Sequence, residues 1–300
     1  MSVFAEGTAR VTVPATSANL GPGFDSLGLA LDLRDELAGE VTESGLDVEV
    51  RGVCADDVPR DESHLVVRAM RAAFGAMEVS PPGLRLSCDN AIPHGRGLGS
   101  SAAAIVGGAA LARALVVDGE TRLDDDALFR LAAAIEGHPD NVAPALLGGF
   151  VISGREGTNF FALPSTVDPR ISVVVFVPPD PVATEVARGL LPDQVPHADA
   201  AADAGRTALL VAALAQRPEH LFLATRDFLH QDFRRAAMPD SLALVDRLRA
   251  DGVAATVSGA GPTVLAFTAA RHSATDLCER CPPSWECQDL EIDRVGVRVG

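Results

Sequence analysis

A glycine-rich segment at residues 93–103 constrains the fold of this chain more than any other feature. Residues 83–88 before it alternate in hydrophobicity as a β-strand does, and the Ala-rich apolar stretch after it, ending near Leu115, is typical of a buried helix. Three glycines at alternate positions allow positive φ angles and let a ligand approach the backbone closely. The segment is therefore predicted to join a strand to a core helix through a loop of accessible amides.

The beginning of this helix has the chemistry of a phosphate site. Ser100 and Ser101 follow the last glycine, and we expect them at the N-cap and in the first turn, where their hydroxyls would bond to free amides. Unpaired N–H groups at a helix N-terminus favour phosphate. The chain contains no lysine, which excludes a Walker loop, and the glycine spacing does not match the dinucleotide fingerprint. Taken alone, the segment also fits a plain loop whose serines only cap the helix.

The composition limits the class of protein and its partners. A chain of 300 residues with 47% hydrophobic residues can bury a large core in one or two domains. No apolar run is long enough to cross a bilayer, and the N-terminus lacks the basic and apolar regions of a signal peptide, so a cytoplasmic location is expected. The net charge of −16 opposes binding to nucleic acid or anionic lipid. All 25 basic residues are Arg, which leaves salt adaptation of the protein open.

The cysteines raise the question of a metal or redox site. Cys278 and Cys281 have C-x-x-C spacing, and Cys287 lies nearby. Zinc usually takes four ligands, and the sequence offers no second pair, although His272 could join. Five cysteines are also too few for a disulfide framework. We therefore interpret them as packing residues near the C-terminus, with a redox function as the alternative.

A loop at residues 19–25 is dense in turn residues and presents two polar side chains. Asn19 and Asp25 either face a ligand or cap their own turn.

A second polar stretch begins where Glu136 ends an apolar helix face, a place where a lone acid would be poorly solvated. His138, Asp140 and Asn141 follow within five positions, among prolines that stiffen the chain. Polar side chains on a rigid loop suit a binding site, although Asp140 or Asn141 also suits the N-cap of the next helix.

The remaining periodicity predicts strands and helices along the whole chain. The almost wholly apolar segment 171–177 indicates a central strand, and a Gly-Ala-Gly turn at residues 259–261 lets something pack closely on the backbone. We place a boundary between residues 164 and 169, which gives domains at residues 1–166 and 167–300. Other strands are predicted at residues 8–14, 29–33, 40–51, 150–152, 253–257 and 264–267, and helices at residues 64–77, 124–135, 199–215, 218–228 and 241–251.

Four segments together resemble the homoserine kinases of the GHMP kinase superfamily. Residues 13–25 (VPATSANLGPGFD) and 138–145 (HPDNVAPA) are similar to segments of homoserine kinases, and residues 93–103 and 258–263 to the phosphate loop and third motif of the superfamily. The resemblance covers nearly the whole chain. It implies an α+β fold of two domains, the first like the second domain of ribosomal protein S5, with a left-handed crossover, and the second ferredoxin-like.

The same resemblance implies ATP-dependent phosphorylation of L-homoserine to O-phospho-L-homoserine, on the route to threonine. ATP and Mg²⁺ would be required, with Ser101 (or Ser100) and Glu136 as the metal ligands, in line with the preference of Mg²⁺ for few carboxylates. The implied ATP-binding residues are Pro93, His94, Gly95, Arg96, Gly97, Leu98, Gly99, Ser100, Ser101, Ala102 and Ala103.

The implied amino-acid pocket comes from three parts of the chain. Asp25 or Asp140 suits the substrate ammonium, and Arg188 with Arg234 suits its carboxylate, because the Arg fork binds carboxylate bidentately. Two other arginines, Arg206 and Arg235, are alternatives for the carboxylate. The implied substrate-binding residues are Asn19, Asp25, His138, Asp140, Asn141, Arg188 and Arg234.

Catalysis is expected to involve Ser101, Glu136 and Asn141. Some superfamily members pair a lysine with an aspartate base at the acceptor hydroxyl, but this chain has no lysine and the position resembles Asn141. We therefore expect no strong base, with Asn141 orienting the hydroxyl and its proton passing to the γ-phosphate or water.

Two other functions stay open at this point. One is a sister kinase for another small alcohol, such as mevalonate or shikimate, and the other is a non-catalytic nucleotide-binding regulator with the same fold. The oligomeric state is open as well, with a homodimer expected from the many relatives that form one.

Overall fold

The computed structural model describes residues 3–268 and 273–300, so the candidate metal ligand His272 lies outside the described residues. The strands are β1 (Ala9–Ala18), β2 (Leu27–Thr42), β3 (Gly45–Gly52), β4 (Gly83–Asn90), β5 (Phe150–Glu156), β6 (Asn159–Ser165), β7 (Val173–Val177), β8 (Ala255–Val257), β9 (Val264–Phe267), β10 (Glu286–Leu290) and β11 (Arg298–Val299). The helices are α1 (Leu65–Ala76), α2 (Ser100–Ala114), α3 (Gly119–Arg122), α4 (Asp125–Glu136), α5 (Val142–Leu147), α6 (Thr184–Gly189), α7 (His197–Gln216), α8 (Leu221–Ala224), α9 (Pro239–Ala250) and α10 (Ala274–Cys278).

The first sheet has the strand order β11-β1-β2-β4-β3, and β5 pairs with β2 and with β6. The long strands β1 and β2 are antiparallel, with a register shift between Pro14 and Ala15. Strands β3 and β4 are parallel, and α1 lies between them in the chain. Helix α2 packs against α1 and β1.

Small residues place α2 in the centre of this core. A Cβ on Gly108 would lie 2.6 Å from the carbonyl oxygen of Val66 in α1, so the two helices touch backbone to backbone. Most of α2 is buried, and its side chains are mainly Ala, Gly, Ile and Val. The prediction of a buried Ala-rich helix is confirmed, and its depth fixes where the glycine loop begins.

The second sheet has the order β10-β7-β9-β8, with each neighbouring pair antiparallel. When these four strands are numbered by their order in the chain, the sheet order is 4-1-3-2. This is the ferredoxin-like arrangement that was expected. All five residues of β7 are buried, so the prediction of a central strand there is confirmed. The structure is thus an α+β protein with two sheets, as predicted.

The end of the chain returns from the second sheet to the first. Strand β11 pairs with β1, and the backbone oxygen of Asp293 accepts a hydrogen bond of 2.6 Å from the amide of Gly149. The carboxylate of Asp293 is buried and pairs with Arg34. These contacts tie the last residues to the segment that follows α5, and the domain boundary between residues 164 and 169 stays a prediction.

The predicted helix at residues 218–228 is wrong. A 3₁₀ turn at Pro218–His220 leads into α8, which has four residues. The carboxylate of Asp227 then accepts hydrogen bonds from the amides of Leu229, His230 and Gln231, and this local side-chain competition ends the helix. Helix α6 and strands β6 and β10 were not predicted, because at most one residue of each is buried and their apolar periodicity is weak. Within residues 3–268 and 273–300, no helix combines the length and apolar character needed to cross a bilayer.

The cysteines form a cross-link that was not predicted. Cys278 is disulfide-bonded to Cys287, and Cys281 is free, with its sulfur 3.4 Å from the carbonyl oxygen of Trp285. The interpretation of plain packing residues is therefore wrong for the bonded pair. Among the described residues, no group of three or more His, Cys, Asp or Glu side chains is placed to hold a metal ion.

Candidate active site

The glycine loop has the backbone conformation that its sequence predicts. Gly95, Gly97 and Gly99 all have positive φ, at 64°, 77° and 70°. The predicted N-cap is wrong by one residue, because Gly99 occupies that position and Ser100 and Ser101 are the first two residues of α2. Neither serine makes a capping hydrogen bond, so their hydroxyls are available for other partners.

The loop carbonyls are held by three other parts of the chain and by the first turn of α2. Hydrogen bonds reach the carbonyl oxygens of Gly95, Arg96, Gly97, Leu98 and Gly99 from Val182, Thr263, Ser258, Thr16 and Ala103, over distances between 2.6 and 3.2 Å. No amide from Gly97 to Ser101 donates a hydrogen bond to another described residue. A loop with its acceptors occupied and its donors free, at a helix N-terminus, is a binding site for an anion.

Only glycine fits at two positions of this loop. A Cβ on Gly97 would lie 2.8 Å from the carbonyl oxygen of Gly261 and overlap that of Ser258, so the third motif packs directly on the loop. A Cβ on Gly99 would overlap Thr16 Oγ1. The close packing fixes the loop against both sheets.

A hydroxyl and a carboxylate meet beside the free amides. Ser101 Oγ donates a hydrogen bond of 2.5 Å to Oε1 of Glu136, the last residue of α4. Burial raises the pKa of Glu136, and the hydrogen bond from Ser101 only partly opposes this. An acid desolvated next to an anion cradle favours a bound cation, and a hydroxyl with one carboxylate is a donor set that fits Mg²⁺ together with phosphate oxygens and water.

A cavity of about 200 Å³ opens beside the loop and collects most of the predicted site residues. It lies between the two sheets. Its lining comprises Ala18, Asn19, Gly95, Gly97, Gly99, Ser100, Ser101, Glu136, His138, Asp140, Asn141, Thr184, Arg188, Arg234, Gly259 and Ala260.

The segment after α4 supplies three polar side chains to this cavity. His138 Nδ1 lies 2.8 Å from Oδ1 of the buried Asp140. Burial acts to lower the pKa of His138, but the hydrogen bond and charge of Asp140, with the charge of Glu136, outweigh burial and raise it. Asn141 Oδ1 accepts a hydrogen bond of 2.9 Å from Thr16 Oγ1, and its Nδ2 bonds to no other described residue. Asn141 therefore offers its NH₂ group to a ligand.

The loop at residues 19–25 divides its polar side chains between support and binding. Asn19 Nδ2 donates to the carbonyl oxygen of Gly259 and Asn19 Oδ1 accepts from the amide of Asp25, each over 2.9 Å. Both ends of the Asn19 amide are thus used to brace the loop. Asp25 is not part of the cavity lining, but it pairs with Arg188 of α6, which is.

Arg234 lies beneath the cavity and is only 1% exposed. Its Nη1 lies 3.0 Å from His230 Nδ1 and 3.2 Å from the carbonyl oxygen of Gly259. Burial and then the neighbouring charge of Arg188 lower the pKa of Arg234 to about 10, so it stays charged at neutral pH. Arg188 and Arg234 both lie about the ring of Phe24, at 5.5 and 5.6 Å from its centroid. Two guanidinium groups held this close favour an anionic ligand group.

A second, more apolar cavity of about 260 Å³ lies on the other side of the glycine loop. Ser100 and Ser101 line both cavities. His64, predicted only to begin a helix, lines the second cavity with 5% exposure, and its Nδ1 has no hydrogen-bond partner among the described residues. Asn90 and His94 also line it, with their side chains 3.4 Å apart.

Other predicted residues lie outside the first cavity. Arg96 binds the carbonyl oxygens of Pro178 and Pro179, and Leu98 is buried in the core. The remaining loop residues outside the cavity are Pro93, His94, Ala102 and Ala103.

The two alternative arginines are also outside the first cavity. Arg235 forms ion pairs with Asp232 and Asp246, and Arg206 does not line the cavity.

Sequence reasoning missed the residues that support the site rather than line it. Thr16 lies inside the first motif, but its role appears only when Asn141, 125 positions away, folds against it. His230 stands within a polar segment of the sequence, and only the fold shows it buried between Gly21 and Arg234. The second cavity had no signal in the sequence, because its lining comes from four separate segments.

The comparisons with known proteins agree with this geometry. Residues 64–149 match the GHMP kinases N terminal domain and residues 208–283 match GHMP kinases C terminal. A homoserine kinase of Streptomyces avermitilis is 53% identical over 99% of this chain and 97% of its own length.

Solved structures share the fold. The crystal structure of homoserine kinase from Cytophaga hutchinsonii superposes with a TM-score of 0.84 at 24% identity, covering 98% of both chains. An L. major mevalonate kinase in complex with R-mevalonate superposes with a TM-score of 0.68 at 16% identity, again covering 98% of both chains. At such identities these two likenesses concern the fold alone. The relative at 53% identity and the two family matches show that the chain belongs to the homoserine kinase family of the GHMP kinases.

Proposed function

We propose that this protein transfers the γ-phosphoryl group of ATP to the hydroxyl of L-homoserine, giving O-phospho-L-homoserine, a step towards threonine. The observation that carries the proposal is the juxtaposition, in one cavity, of free loop amides with two arginines and two acids. The amides suit a polyphosphate, and the mixed charges suit an amino acid. The name of the relative at 53% identity supports the same substrate.

The nucleotide is proposed to occupy the two cavities that meet at Ser100 and Ser101. The triphosphate would lie on the amides of Gly97 to Ser101, and the nucleoside in the second cavity, whose lining is largely apolar. The unpartnered Nδ1 of His64 would accept or donate one hydrogen bond to the nucleoside.

Mg²⁺ is proposed to be held by Ser101 and Glu136, and its chemistry there would be to neutralise charge on the phosphate oxygens. The raised pKa of Glu136 supports this role, because a desolvated acid gains most from a nearby cation. Ser100, the alternative ligand, makes no hydrogen bond to Glu136, whereas Ser101 does.

The amino acid is proposed to lie between the first motif and α6. Its carboxylate would bind Arg188 and Arg234, and its ammonium would bind Asp25 or Asp140. His138, bonded to Asp140, would hold that carboxylate in position. This arrangement fixes the hydroxyl end of the substrate towards Asn141 and the glycine loop.

Transfer itself would depend on position and charge rather than on a base. Asn141, oriented by Thr16, has a free NH₂ group that would bind the substrate hydroxyl oxygen. The hydroxyl proton would then pass to the γ-phosphate or water. Asp25, the alternative base, is engaged by Arg188 through two hydrogen bonds.

A cytoplasmic location and a homodimer are further proposals, both by analogy with the homoserine kinase family. Light scattering of the purified protein would measure the mass of the oligomer directly.

The test is coupled ADP release with L-homoserine, mevalonate, shikimate and no acceptor, each with and without Mg²⁺. We expect turnover with L-homoserine and Mg²⁺ and little with the other acceptors. Turnover with mevalonate or shikimate instead would assign the protein to a sister activity. Nucleotide binding without turnover of any acceptor would favour the regulator.

A further inference from the structure

Two residues proposed for opposite ends of the substrate bind each other in this structure. Arg188 Nη2 lies 2.6 Å from Asp25 Oδ1, and Arg188 Nη1 lies 3.1 Å from Asp25 Oδ2. This two-point contact occupies the fork that a substrate carboxylate would need and the acid that a substrate ammonium would need.

Both partners are held in place by their own surroundings. The amide of Asp25 donates to Asn19 Oδ1 over 2.9 Å, and Asp25 has φ of 53°, so the loop fixes the direction of its side chain. Arg188 extends from α6 over the ring of Phe24. The side chains of Asp25 and Arg188 are 36% and 34% exposed, and Arg188 lines the cavity, so a ligand that enters the cavity meets one member of the pair directly.

The charges around the Arg188–Asp25 pair make its separation unfavourable unless each residue gains another group of opposite charge. Burial and then the charge of the nearby Arg188 lower the pKa of Arg234, so the two guanidinium groups are close enough to repel each other. Asp140 and Glu136 lie on the acidic side of the same cavity. Removing Asp25 from Arg188 therefore takes one counter-charge away from two neighbouring guanidinium groups.

We propose that the Arg188–Asp25 ion pair is exchanged for the two charged groups of the substrate, and that this exchange selects zwitterionic alcohols. The proposal rests on the proposed function. The substrate carboxylate takes over the fork of Arg188 while the ammonium takes over Asp25, so each member of the pair keeps an opposite charge. An alcohol with only one charge must break the pair and leaves one member unpaired.

The exchange discriminates against the acceptors of sister kinases by their chemistry. A hydroxy acid without an amino group competes with Asp25 for Arg188 and offers nothing to Asp25 in return. The repulsive element against such acids is Asp25 itself, because it already occupies the arginine and would face the incoming carboxylate.

The proposal makes an unusual prediction for γ-hydroxybutyrate, which is homoserine without its amino group. Asp25→Asn frees Arg188 and removes the competing carboxylate, and Asn tolerates the left-handed backbone at this position. We expect the variant to bind γ-hydroxybutyrate about fivefold more tightly than the wild type. This factor corresponds to the interaction free energy of a partly exposed ion pair. The same variant should bind L-homoserine more weakly, by about tenfold or more, because the ammonium loses its partner.

The experiment is an NMR-monitored titration of the full-length wild type and Asp25→Asn with each ligand. Asp126→Asn is the control, since it removes an acid from an exposed ion pair with Arg130 on α4. Opposite shifts in affinity for the two ligands in Asp25→Asn, with none in the control, are the expected result. Asp25→Ala provides a second variant with the same expected direction.

Two outcomes would overturn the exchange. If Asp25→Asn and Asp25→Ala bind γ-hydroxybutyrate no more tightly than the wild type, Asp25 does not compete for Arg188, although L-homoserine binding still supports the proposed function. If the wild type does not bind L-homoserine at all, the proposed function fails and the exchange fails with it.

Discussion

The phosphate cradle and the amino-acid pocket share one cavity but are built in different ways. The cradle, from Gly97 to Ser101, consists of main-chain amides from one continuous segment. The pocket consists of side chains from separate segments. Asp140, Arg188 and Arg234 line the cavity, and Asp25 joins them through its ion pair with Arg188. A backbone site depends on which residues permit a conformation, whereas a side-chain site depends on which groups the fold brings together.

This difference decides what the sequence could predict. The positive φ angles of Gly95, Gly97 and Gly99 follow from glycine spacing alone, and the structure confirms them. The ion pair between Asp25 and Arg188 spans 163 positions, and only the fold brings the two residues together. The helix α6 that carries Arg188 was not predicted either. The resemblance supplied both residues as binding groups, but gave no indication that they bind each other.

The same contrast holds for the fold. Buried elements such as α2 and β7 were predicted from sequence, since burial on all sides leaves an unbroken apolar run. The short α8 was predicted as part of a longer helix. The side chain of Asp227 binds backbone amides of the following residues, and hydrophobic periodicity gives no sign of such bonds. Residues in contact over long separations, such as Thr16 and Asn141, need the fold.

The largest effect is expected from a methyl group in the cradle. Gly97→Ala places a Cβ against the carbonyl oxygens of Ser258 and Gly261 and imposes a positive φ on alanine, so the loop amides move. We expect kcat/KM for ATP to fall by about 1,000-fold or more. Gly252→Ala is the matched control, since Gly252 has a φ of 83° and open space around it. Steady-state kinetics of both variants measure the effect, and equal activities would contradict the cradle.

A smaller and more selective effect is expected in the side-chain pocket. Arg234→Lys keeps the charge but loses the planar fork, so the KM for L-homoserine should rise by about 100-fold while the KM for ATP changes little. Arg235→Lys is the control, because Arg235, the next residue, lies outside the cavity and forms ion pairs with Asp232 and Asp246. A comparable loss in the control, or an equal change for ATP, would remove Arg234 from the amino-acid pocket.

A still smaller effect is expected at the contact between the two regions. Thr16→Val removes the hydrogen bond that orients Asn141, and we expect kcat to fall by about tenfold. Asn141→Ala should lower kcat at least as much, and adding Thr16→Val to it should have little further effect. A double-mutant cycle in kcat measures this, and fully additive losses would mean that Thr16 does not act through Asn141.

The smallest effect on activity is expected at the entrance to the loop, where a side chain supports the backbone. The buried carboxylate of Asp35 accepts hydrogen bonds of 2.7 and 2.9 Å from the amides of Ala91 and Ile92. Burial raises the pKa of Asp35 to about 6, above its value of 3.8 in the unfolded chain. The native state therefore binds this proton more readily, and its contribution to stability, full below pH 4, is lost as the pH rises through about 6.

Asp35→Asn cannot ionise and keeps an acceptor for these amides. Relative to the wild type, its free energy of unfolding should increase by on the order of 2 kcal/mol between pH 4 and pH 8. Urea unfolding at both pH values measures this difference. A constant difference across the pH range would show that Asp35 is not the titrating group.

The most direct test of the backbone cradle is a crystal structure of the protein with Mg²⁺, L-homoserine and a non-hydrolysable ATP analogue. We predict phosphate oxygens within hydrogen-bonding distance of the amides from Gly97 to Ser101, with the metal ion contacting Ser101 and Glu136. A triphosphate bound away from these amides, held mainly by arginine side chains, would contradict the account.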